Sequence, residues 1–377
     1  MSNETILEVD GLKTHFYTEQ GVVRAVDGVS FDVREREIVG IVGESGAGKS
    51  VATTSILRLI EEPGQIVDGE ITYRDLTIVG FEEQDDGTLT PREAMLSNRE
   101  MRDQVRGNEI AIIFQDPMES LNPVYSVGHQ VTEFIELNRE LSGGDARQEA
   151  IDMLREVGIP EPENRFDDYP HEFSGGMRQR VLIAMALGCR PTLIIADEPT
   201  TALDVTVEGQ ILDLVKDLQT KYGTSFIWVT HDMGIVAEIC DRVNVMYLGE
   251  IVEQGPVDDI FHDTKHPYTQ KLLESIPRPD RTVTELDPIA GTMPSAINPP
   301  RACRFHTRCP DARVACTEVE PRFVAVGNDA DGDGDEHEGE HNDHRTACIK
   351  YDDVGYWDSV PLEKVGDRDI QYVGDRS

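Results

Sequence analysis

The sequence predicts an α/β fold with a largely parallel sheet over residues 1–260, followed by a small, irregular, cysteine-containing module over residues 261–377. In the first part, short β-rich apolar runs alternate with helical patterns, as they do in chains of βαβ units. A glycine-rich phosphate-loop motif lies between one such run and the next helix. After about Gly255, prolines and cysteines become frequent and the regular patterns stop. A chain of 377 residues is long enough for one large and one small domain.

The elements of the first part follow from its apolar patterning. Ile38–Val42 is a buried strand by composition, and residues 50–60 after it have the pattern of a helix. Residues 193–196 and 225–229 are further apolar strands, with the amphipathic helix 207–218 between them. This alternation predicts the largely parallel sheet.

Two regions depart from that alternation. Residues 120–185 contain helical patterns without a comparable strand, which predicts a helical subdomain inserted into the α/β body. Residues 266–276 predict one more helix, after which six prolines interrupt regular structure: Pro277, Pro279, Pro288, Pro294, Pro299 and Pro300. We therefore expect the C-terminal part to be a separate module.

The net charge is unusual. The chain has 72 acidic and 35 basic residues, a formal charge of −37 that would repel nucleic-acid phosphates, so we expect no nucleic-acid partner. Residues 328–344 contain only 8 of the acidic residues, so an acidic tail does not explain the charge. Only 8 of the basic residues are lysines. An acidic surface is tolerable in molar salt, where the Debye length is about 3 Å, and we interpret the composition as that of a halophile, haloarchaeal-like.

No apolar run reaches the roughly 18–20 residues of a membrane span, and residues 1–10 lack the pattern of a secretory signal. We expect an intracellular protein, soluble or peripheral on a membrane that it does not cross. In a reducing compartment, the six cysteines are expected to be thiols or metal ligands rather than disulfides.

A phosphate loop is the first candidate site. Its glycines allow backbone N–H groups to face phosphates at the positive end of a helix. We expect Lys49 to reach the β- and γ-phosphates and the Ser50 hydroxyl to ligate Mg²⁺. The motif consists of Gly43, Glu44, Ser45, Gly46, Ala47, Gly48, Lys49 and Ser50.

Two carboxylates form the second candidate site. Asp197 and Glu198 follow the apolar strand 193–196. A strand that delivers Asp197 to the phosphate-binding edge of the sheet is the arrangement that holds Mg²⁺ in phosphate-loop NTPases. Glu198 is then placed to polarise the attacking water as a general base.

Between these motifs, residues 173–180 (FSGGMRQR) resemble the signature sequence of ATP-binding-cassette (ABC) ATPases, although the commoner form starts LSGGQ. Gln115 begins a segment that is similar to the Q-loop of this family. Residues 201–204 (TALD) resemble its D-loop, and His231 occupies its switch-histidine position. The motifs follow one another in the family's order.

The resemblance implies roles for further residues. Gln115 and His231 would join Glu198 in catalysis, and Gln115 would be a further Mg²⁺ ligand. The signature residues Ser174, Gly175 and Gly176 open a helix predicted at 177–187, whose N-terminus is an anion site. In the family this site meets the γ-phosphate bound by an opposite subunit in a head-to-tail dimer.

Asp204 would communicate across that dimer. An aromatic residue of the N-terminal strand stacks on adenine in the family, and Phe16 is our choice over Tyr17. Residues 141–145 (LSGGD) match the written signature but lack the Arg/Gln cluster that follows it, so we interpret them as a loop and helix cap.

One branch of the family is similar over nearly the whole chain. Residues 114–124 (FQDPMESLNPV), 169–172 (YPHE) and 266–268 (HPY) resemble segments of dipeptide and oligopeptide importer ATPases. The resemblance implies a peripheral ATPase on the cytoplasmic face of the membrane. It would bind two permease subunits, through residues 116–140 in part, and a second ATPase subunit that is a copy or a paralogue. An extracellular solute-binding protein would act indirectly.

Other functions stay open at this stage. The same architecture could import nickel or oligosaccharides, since this subunit is not expected to touch the solute. A soluble ABC ATPase that acts on DNA or ribosomes is a second alternative, but it would need paired cassettes, a coiled coil or a basic face. A module that only senses nucleotide is disfavoured by the set Lys49, Asp197, Glu198 and His231.

Four late cysteines form the last candidate site: Cys303, Cys309, Cys316 and Cys348. In this branch the equivalent pattern is associated with a [4Fe–4S] cluster. By softness the four thiolates suit iron–sulfur or zinc equally, although zinc-finger spacing is absent, and unligated thiols are a third alternative. Cys189 and Cys240 lie in predicted helices and are expected to be buried small hydrophobes.

The acidic tract 328–344 is expected to be a solvated, disordered insertion. Residues 329–340 match the EF-hand calcium-loop pattern, but the flanking residues show no helical periodicity, so we interpret the match as chance. Metal binding by His337, His341 and His344 is expected to be incidental.

Overall fold

A computed structural model describes residues 4–201, 203–275, 289–326 and 343–352. Several predictions fall outside these ranges. They are Ala202 of the TALD segment, Pro277, Pro279 and Pro288, the EF-hand match at 329–340, His337, His341, and the acidic tract up to residue 342.

The described strands are β1 (Thr5–Thr18), β2 (Gly21–Arg34), β3 (Ile38–Val42), β4 (Gly64–Tyr73), β5 (Leu76–Val79), β6 (Phe81–Glu83), β7 (Leu89–Pro91), β8 (Ile110–Ile113), β9 (Leu193–Asp197), β10 (Ser225–Thr230), β11 (Arg242–Tyr247), β12 (Glu250–Pro256), β13 (Val324–Ala325) and β14 (Arg345–Thr346).

The described α-helices are α1 (Lys49–Ile56), α2 (Asn98–Glu100), α3 (Pro117–Ser120), α4 (Val127–Asn138), α5 (Gly143–Glu156), α6 (Pro162–Arg165), α7 (Gly175–Gly188), α8 (Val205–Tyr222), α9 (Met233–Ile239), α10 (Val257–His262), α11 (Pro267–Glu274) and α12 (Ala315–Glu318). A π-helical turn spans Met101–Val105, and 3₁₀ turns span Pro170–Glu172 and Ile349–Tyr351.

The central sheet has the strand order β13-β14-β12-β11-β3-β10-β9-β8. Strands β11, β3, β10, β9 and β8 are parallel, and β12 and the two short strands are antiparallel. Every residue of β3 and β9 is buried, as expected for parallel strands covered on both faces. The carboxyl ends of β3 and β9 therefore lie at the same edge, and this edge carries both candidate motifs.

A second sheet, with the order β2-β1-β4-β5, is antiparallel throughout. The predicted parallel arrangement applies to the central sheet and not to this one. Strands β1 and β2 alternate buried with half-buried or exposed residues. Charged side chains on the outer face interrupt the apolar runs, so these two strands lack the continuous apolar pattern that marks the central strands.

The predicted helical subdomain is confirmed. Among the described residues between β8 and β9 there is no strand, and α3 to α7 fill this segment. Helices α4, α5 and α7 pack around a shared apolar core. Gly128 in α4 lies against the ring of Phe166, where a Cβ atom would come within 2.3 Å of the ring.

The C-terminal part is less separate than predicted. Strand β14 pairs with β12 and extends the central sheet. The ring of Phe305 lies 5.2 Å from that of Tyr247 and 5.3 Å from that of Tyr268, in one buried cluster. At the end of the acidic tract, Asp343 pairs with Arg34, and His344 is buried with its Nε2 2.9 Å from Glu253 Oε1. A common apolar cluster and these polar contacts thus join the C-terminal part to the α/β body.

Candidate active site

The phosphate loop connects β3 to α1, as predicted. Gly46 and Gly48 take φ values of +85° and +103°, which favour glycine. A Cβ atom on Gly43 would lie 2.2 Å from Met246 O, and one on Gly48 would lie 2.1 Å from Ala25 O. The loop can therefore follow this path, with its N–H groups at the start of α1, only because glycines occupy these positions.

Lys49 is the buried cation of the site. Its side chain is 4% exposed, and Nζ donates to the carbonyl oxygens of Gly43 at 2.9 Å and Glu44 at 3.3 Å. Nζ also lies 3.6 Å from Glu198 Oε1. Burial lowers the pKa of Lys49, and the Glu198 carboxylate opposes that shift. The ammonium group is thus held between the phosphate loop and the end of β9.

Ser50 and Asp197 meet at the same point, where the Ser50 hydroxyl donates to Asp197 Oδ1 at 3.0 Å. Burial raises the pKa of Asp197, the hydrogen bond from Ser50 opposes this, and the neighbouring Glu198 adds to it. A hydroxyl and a carboxylate are the hard oxygen ligands that Mg²⁺ prefers. Asp197 and Glu198 bring two negative charges to the site, and Lys49 brings only one positive charge. The residues therefore fit a divalent cation.

Glu198 is the centre of a convergent set of donors. Its Oε2 atom accepts hydrogen bonds from Gln115 Nε2 at 3.2 Å and Thr201 Oγ1 at 3.0 Å, and lies 3.2 Å from His231 Nδ1. Its backbone has a left-handed φ of +45°, a strained conformation that is typical of functional sites in non-glycine residues. The structure therefore brings together the three side chains that the sequence predicts as catalytic.

Thr201 belongs to the TALD segment, but the sequence analysis does not predict its contact with Glu198. A hydroxyl residue three positions after the candidate base, in the loop that follows β9, was the available signal.

The signature residues lie at the start of α7. Ser174 is the N-cap residue, and its hydroxyl accepts from Met177 N at 3.3 Å. Ser174 and Gly175 are exposed, whereas Gly176 lies so close to α8 that a Cβ atom would be 2.5 Å from Val207 Cγ1. The helix N-terminus that the sequence predicts as an anion site is thus open to solvent.

The LSGGD segment lies at the start of helix α5. Ser142 is the N-cap residue of α5, but its side chain makes no capping hydrogen bond. The carboxylate of Glu136 does this instead and accepts from Gly143 N at 2.7 Å. The helix cap therefore lies at the predicted position, but Glu136 and not Ser142 accepts the capping hydrogen bond.

Asp204 caps α8, and its Oδ1 accepts from Val207 N at 3.0 Å. The two candidates for adenine stacking lie at the end of β1. Phe16 is half-buried opposite Gly64, and Tyr17 is 49% exposed. The choice of Phe16 stays a prediction.

The segment expected to meet a permease has an apolar surface. Met118, Val124 and Leu137 are 58%, 70% and 74% exposed. An open groove is lined in part by Val124, Tyr125 and Tyr169. These exposed apolar side chains are available to a binding partner.

The four late cysteines line one small cavity: Cys303, Cys309, Cys316 and Cys348. Burial and the neighbouring thiols raise the pKa of Cys309 to about 12 and that of Cys348 to about 11, and they also raise the pKa of Cys303. Within the described ranges, no three His, Cys, Asp or Glu side chains come close enough to hold a metal ion. Four thiols are suitable metal ligands, but in the structure they do not lie close enough together to bind one ion.

The two remaining cysteines agree with prediction in part. Burial raises the pKa of Cys189 to about 11, and its thiol donates to Met185 O at 3.5 Å. Cys240 is half-buried against the apolar core. Each directly follows a helix rather than lying within it.

Where the chain is described, no helix is both long and apolar enough to cross a membrane.

Comparison with known proteins gives consistent matches. Residues 26–201 match the family described as "ABC transporter", and residues 252–316 match "Oligopeptide/dipeptide transporter, C-terminal region". The chain is 46% identical to the oligopeptide transport ATP-binding protein AppD of Bacillus subtilis, over 85% of this chain and 93% of that protein. It is 44% identical to the dipeptide transport ATP-binding protein DppD of Escherichia coli, over 84% and 92% of the two chains.

A solved structure is also similar. It is titled as the dimeric post-hydrolysis state of the ATP-binding cassette MJ0796 bound to ADP and Pi. The match has a TM-score of 0.56 and 25% identity, and it covers 67% of this chain and 98% of that one.

Proposed function

Because this chain belongs to the ABC transporter ATPase family, we propose that it is the ATP-hydrolysing subunit of an importer of dipeptides and oligopeptides. The observation that carries the ATPase assignment is the convergence of Gln115, Thr201 and His231 on Glu198, beside Lys49. The C-terminal match and the names of the relatives support the peptide substrate.

Hydrolysis needs a base that is held in place. Lys49 and the N–H groups of the phosphate loop would bind the phosphates. Glu198 would accept a proton from the attacking water through one carboxylate oxygen, while the donors on the other oxygen fix its orientation. His231 and Gln115 would thus act on the reaction by orienting Glu198.

Mg²⁺ would be held by Ser50 and Asp197, with Gln115 as a further ligand. When bound, the ion neutralises charge that develops on the phosphates.

The open signature at Ser174–Gly176 and the cap residue Asp204 suggest a dimer. An anion site that is exposed at a helix N-terminus is available to a phosphate carried by another subunit. We propose a head-to-tail dimer with a copy of this chain or a paralogous ATPase, in which each signature completes the opposite nucleotide site.

The apolar surface around residues 116–140 would receive two permease subunits, which places the protein at the cytoplasmic face of the membrane. A solute-binding protein would act indirectly. Import of nickel or oligosaccharides through the same architecture is the alternative, and the match at residues 252–316 favours peptides over it.

We also propose that the four late cysteines hold a [4Fe–4S] cluster, with zinc or unligated thiols as the alternatives. Four thiols on one cavity are the donor set for either metal centre, and binding would have to draw them closer together and deprotonate them. Iron and sulfide assays with the visible absorption spectrum of anaerobically purified protein test this. We expect a cluster signal that is lost in Cys309→Ser and kept in Cys189→Ser, whereas stoichiometric zinc without iron would contradict it.

The uptake of labelled peptides by cells that carry Glu198→Gln in place of the native protein tests the transport function. We expect peptide uptake to be lost while other solutes enter normally and levels of the solute-binding protein are unchanged. Normal peptide uptake with loss of nickel or oligosaccharide uptake would favour the alternative substrates.

A further inference from the structure

Glu44 places a carboxylate inside the phosphate loop, directly after Gly43. A loop that binds a polyanion gains nothing from a negative side chain, because like charges repel and burial strengthens that repulsion. The structure shows how this charge is compensated.

Arg308, from the C-terminal part, holds the Glu44 carboxylate with both arms of its guanidinium group. Nη1 lies 2.6 Å from Oε2, and Nη2 lies 3.0 Å from Oε1. The Arg308 side chain is 4% exposed, and its Nε donates to Ala290 O at 3.0 Å. A paired, two-pronged contact of this kind is strong and fixed in direction.

A second residue of the C-terminal part holds the backbone at the same position. The N–H of Glu44 donates to the hydroxyl of Tyr268 at 2.9 Å. Tyr268 is fully buried against the rings of Tyr247 and Phe305. Since Lys49 also donates to Glu44 O at 3.3 Å, the N–H, the carbonyl and the carboxylate of Glu44 are each engaged.

From these contacts we propose that Arg308 is a positioning residue of the nucleotide site. It neutralises Glu44 and, together with Tyr268, fixes the first turn of the phosphate loop in a shape that accepts the triphosphate. The inference rests on the proposed function, since it concerns ATP binding at the same loop. It gives the C-terminal part a direct effect on nucleotide affinity.

The test is the dissociation constant of Mg-ATP, measured by calorimetry on the full chain. Arg308→Ala leaves Glu44 uncompensated, and we expect affinity to fall at least about tenfold. Arg308→Lys keeps the charge without the two-pronged geometry and is expected to lose less. Adding Glu44→Gln to Arg308→Ala removes the repulsion, and we expect this double variant to recover most of the affinity.

Kinetics separates positioning from a loss of folded protein. Because Arg308 makes none of the contacts to Glu198, we expect Arg308→Ala to raise KM for ATP and leave kcat within about threefold. Arg322→Ala is the matched control, since Arg322 pairs through two bonds with Asp352 elsewhere in the C-terminal part. It is expected to change neither constant.

The outcomes distinguish the two claims. Wild-type protein that binds no ATP would overturn the proposed function, and this inference with it. Wild-type binding that Arg308→Ala and Arg308→Lys leave unaltered would overturn the inference alone. An affinity loss in Arg308→Ala that Glu44→Gln fails to recover would also overturn it.

Discussion

The side-chain amide of Gln115 donates to the carboxylate of Glu198 at 3.2 Å, although 83 residues separate them in the chain. Gln115 follows β8 and Glu198 follows β9, and these are neighbouring parallel strands. The contact links the helical subdomain, which begins directly after Gln115, to the catalytic edge of the sheet. A movement of that subdomain would therefore change the position of the Glu198 carboxylate, the proposed base.

Gln115→Ala is expected to reduce kcat for ATP hydrolysis roughly 10- to 100-fold, because it removes a group that orients the base. ATP affinity should fall by a smaller factor than kcat, since Lys49 and the phosphate loop are untouched and only the proposed contact of Gln115 with Mg²⁺ is lost. Steady-state kinetics with a parallel binding titration measures both. Gln148→Ala, on the exposed surface of α5, is the control and should behave as wild type. A loss of ATP affinity with unchanged kcat in Gln115→Ala would contradict the role of Gln115 in orienting Glu198.

Thr201→Val is expected to lower kcat by about 5- to 20-fold, because the hydroxyl donates to the same Glu198 oxygen as Gln115 does. Thr201→Ser keeps the hydroxyl and should retain most of the activity. Wild-type kcat in Thr201→Val, with activity lost only in Thr201→Ser, would show that the methyl group and not the hydrogen bond matters.

The pH dependence of stability follows from His266, whose pKa burial lowers to about 4, against opposition from the Glu253 carboxylate. Below about pH 6.5 the unfolded chain binds a proton that the folded chain does not. The free energy of unfolding should therefore fall from about pH 6.5 down to pH 4, by up to about 1.4 kcal/mol per pH unit from this group.

His266→Asn tests this, because asparagine can still accept the capping hydrogen bond from Tyr268 N and does not titrate. Denaturant unfolding between pH 4 and pH 7 should show a shallower slope for the variant than for wild type. Parallel slopes would contradict the assignment to His266.

The charge of −37 predicts that stability depends on salt. Raising KCl from 0.1 M to 2 M shortens the Debye length from about 10 Å to below about 3 Å and screens the repulsion between surface carboxylates. We expect the melting temperature to rise steadily over this range. A melting temperature that is flat or falls with salt would contradict the halophilic interpretation.

The sequence predicted the parts of the fold that repeat a local pattern. Strands β3, β9 and β10 are runs of buried apolar residues, and their positions agree with the predictions to within one residue. Helix α1 ends earlier than predicted, at Ile56, and Arg58 takes a left-handed φ of +52° just beyond it.

The candidate site was predictable where a motif carries its own chemistry, as at Lys49 and Asp197. The pairing of Arg308 with Glu44 was not predictable in this way, because 264 residues separate them and neither belongs to a pattern that names the other. Contacts of this kind depend on how the C-terminal part packs against the sheet, through Tyr268 and Phe305, and no local period of the sequence encodes that packing.

The most direct test of the central claim is the ATP turnover of purified Glu198→Gln beside its ATP affinity. The account predicts that the variant binds Mg-ATP as tightly as wild type and forms an ATP-dependent dimer. It also predicts that turnover falls at least about 100-fold, because glutamine cannot accept the proton from water. Glu238→Gln, a surface change on α9, should hydrolyse ATP normally. Normal turnover by Glu198→Gln would contradict the assignment of Glu198 as the base.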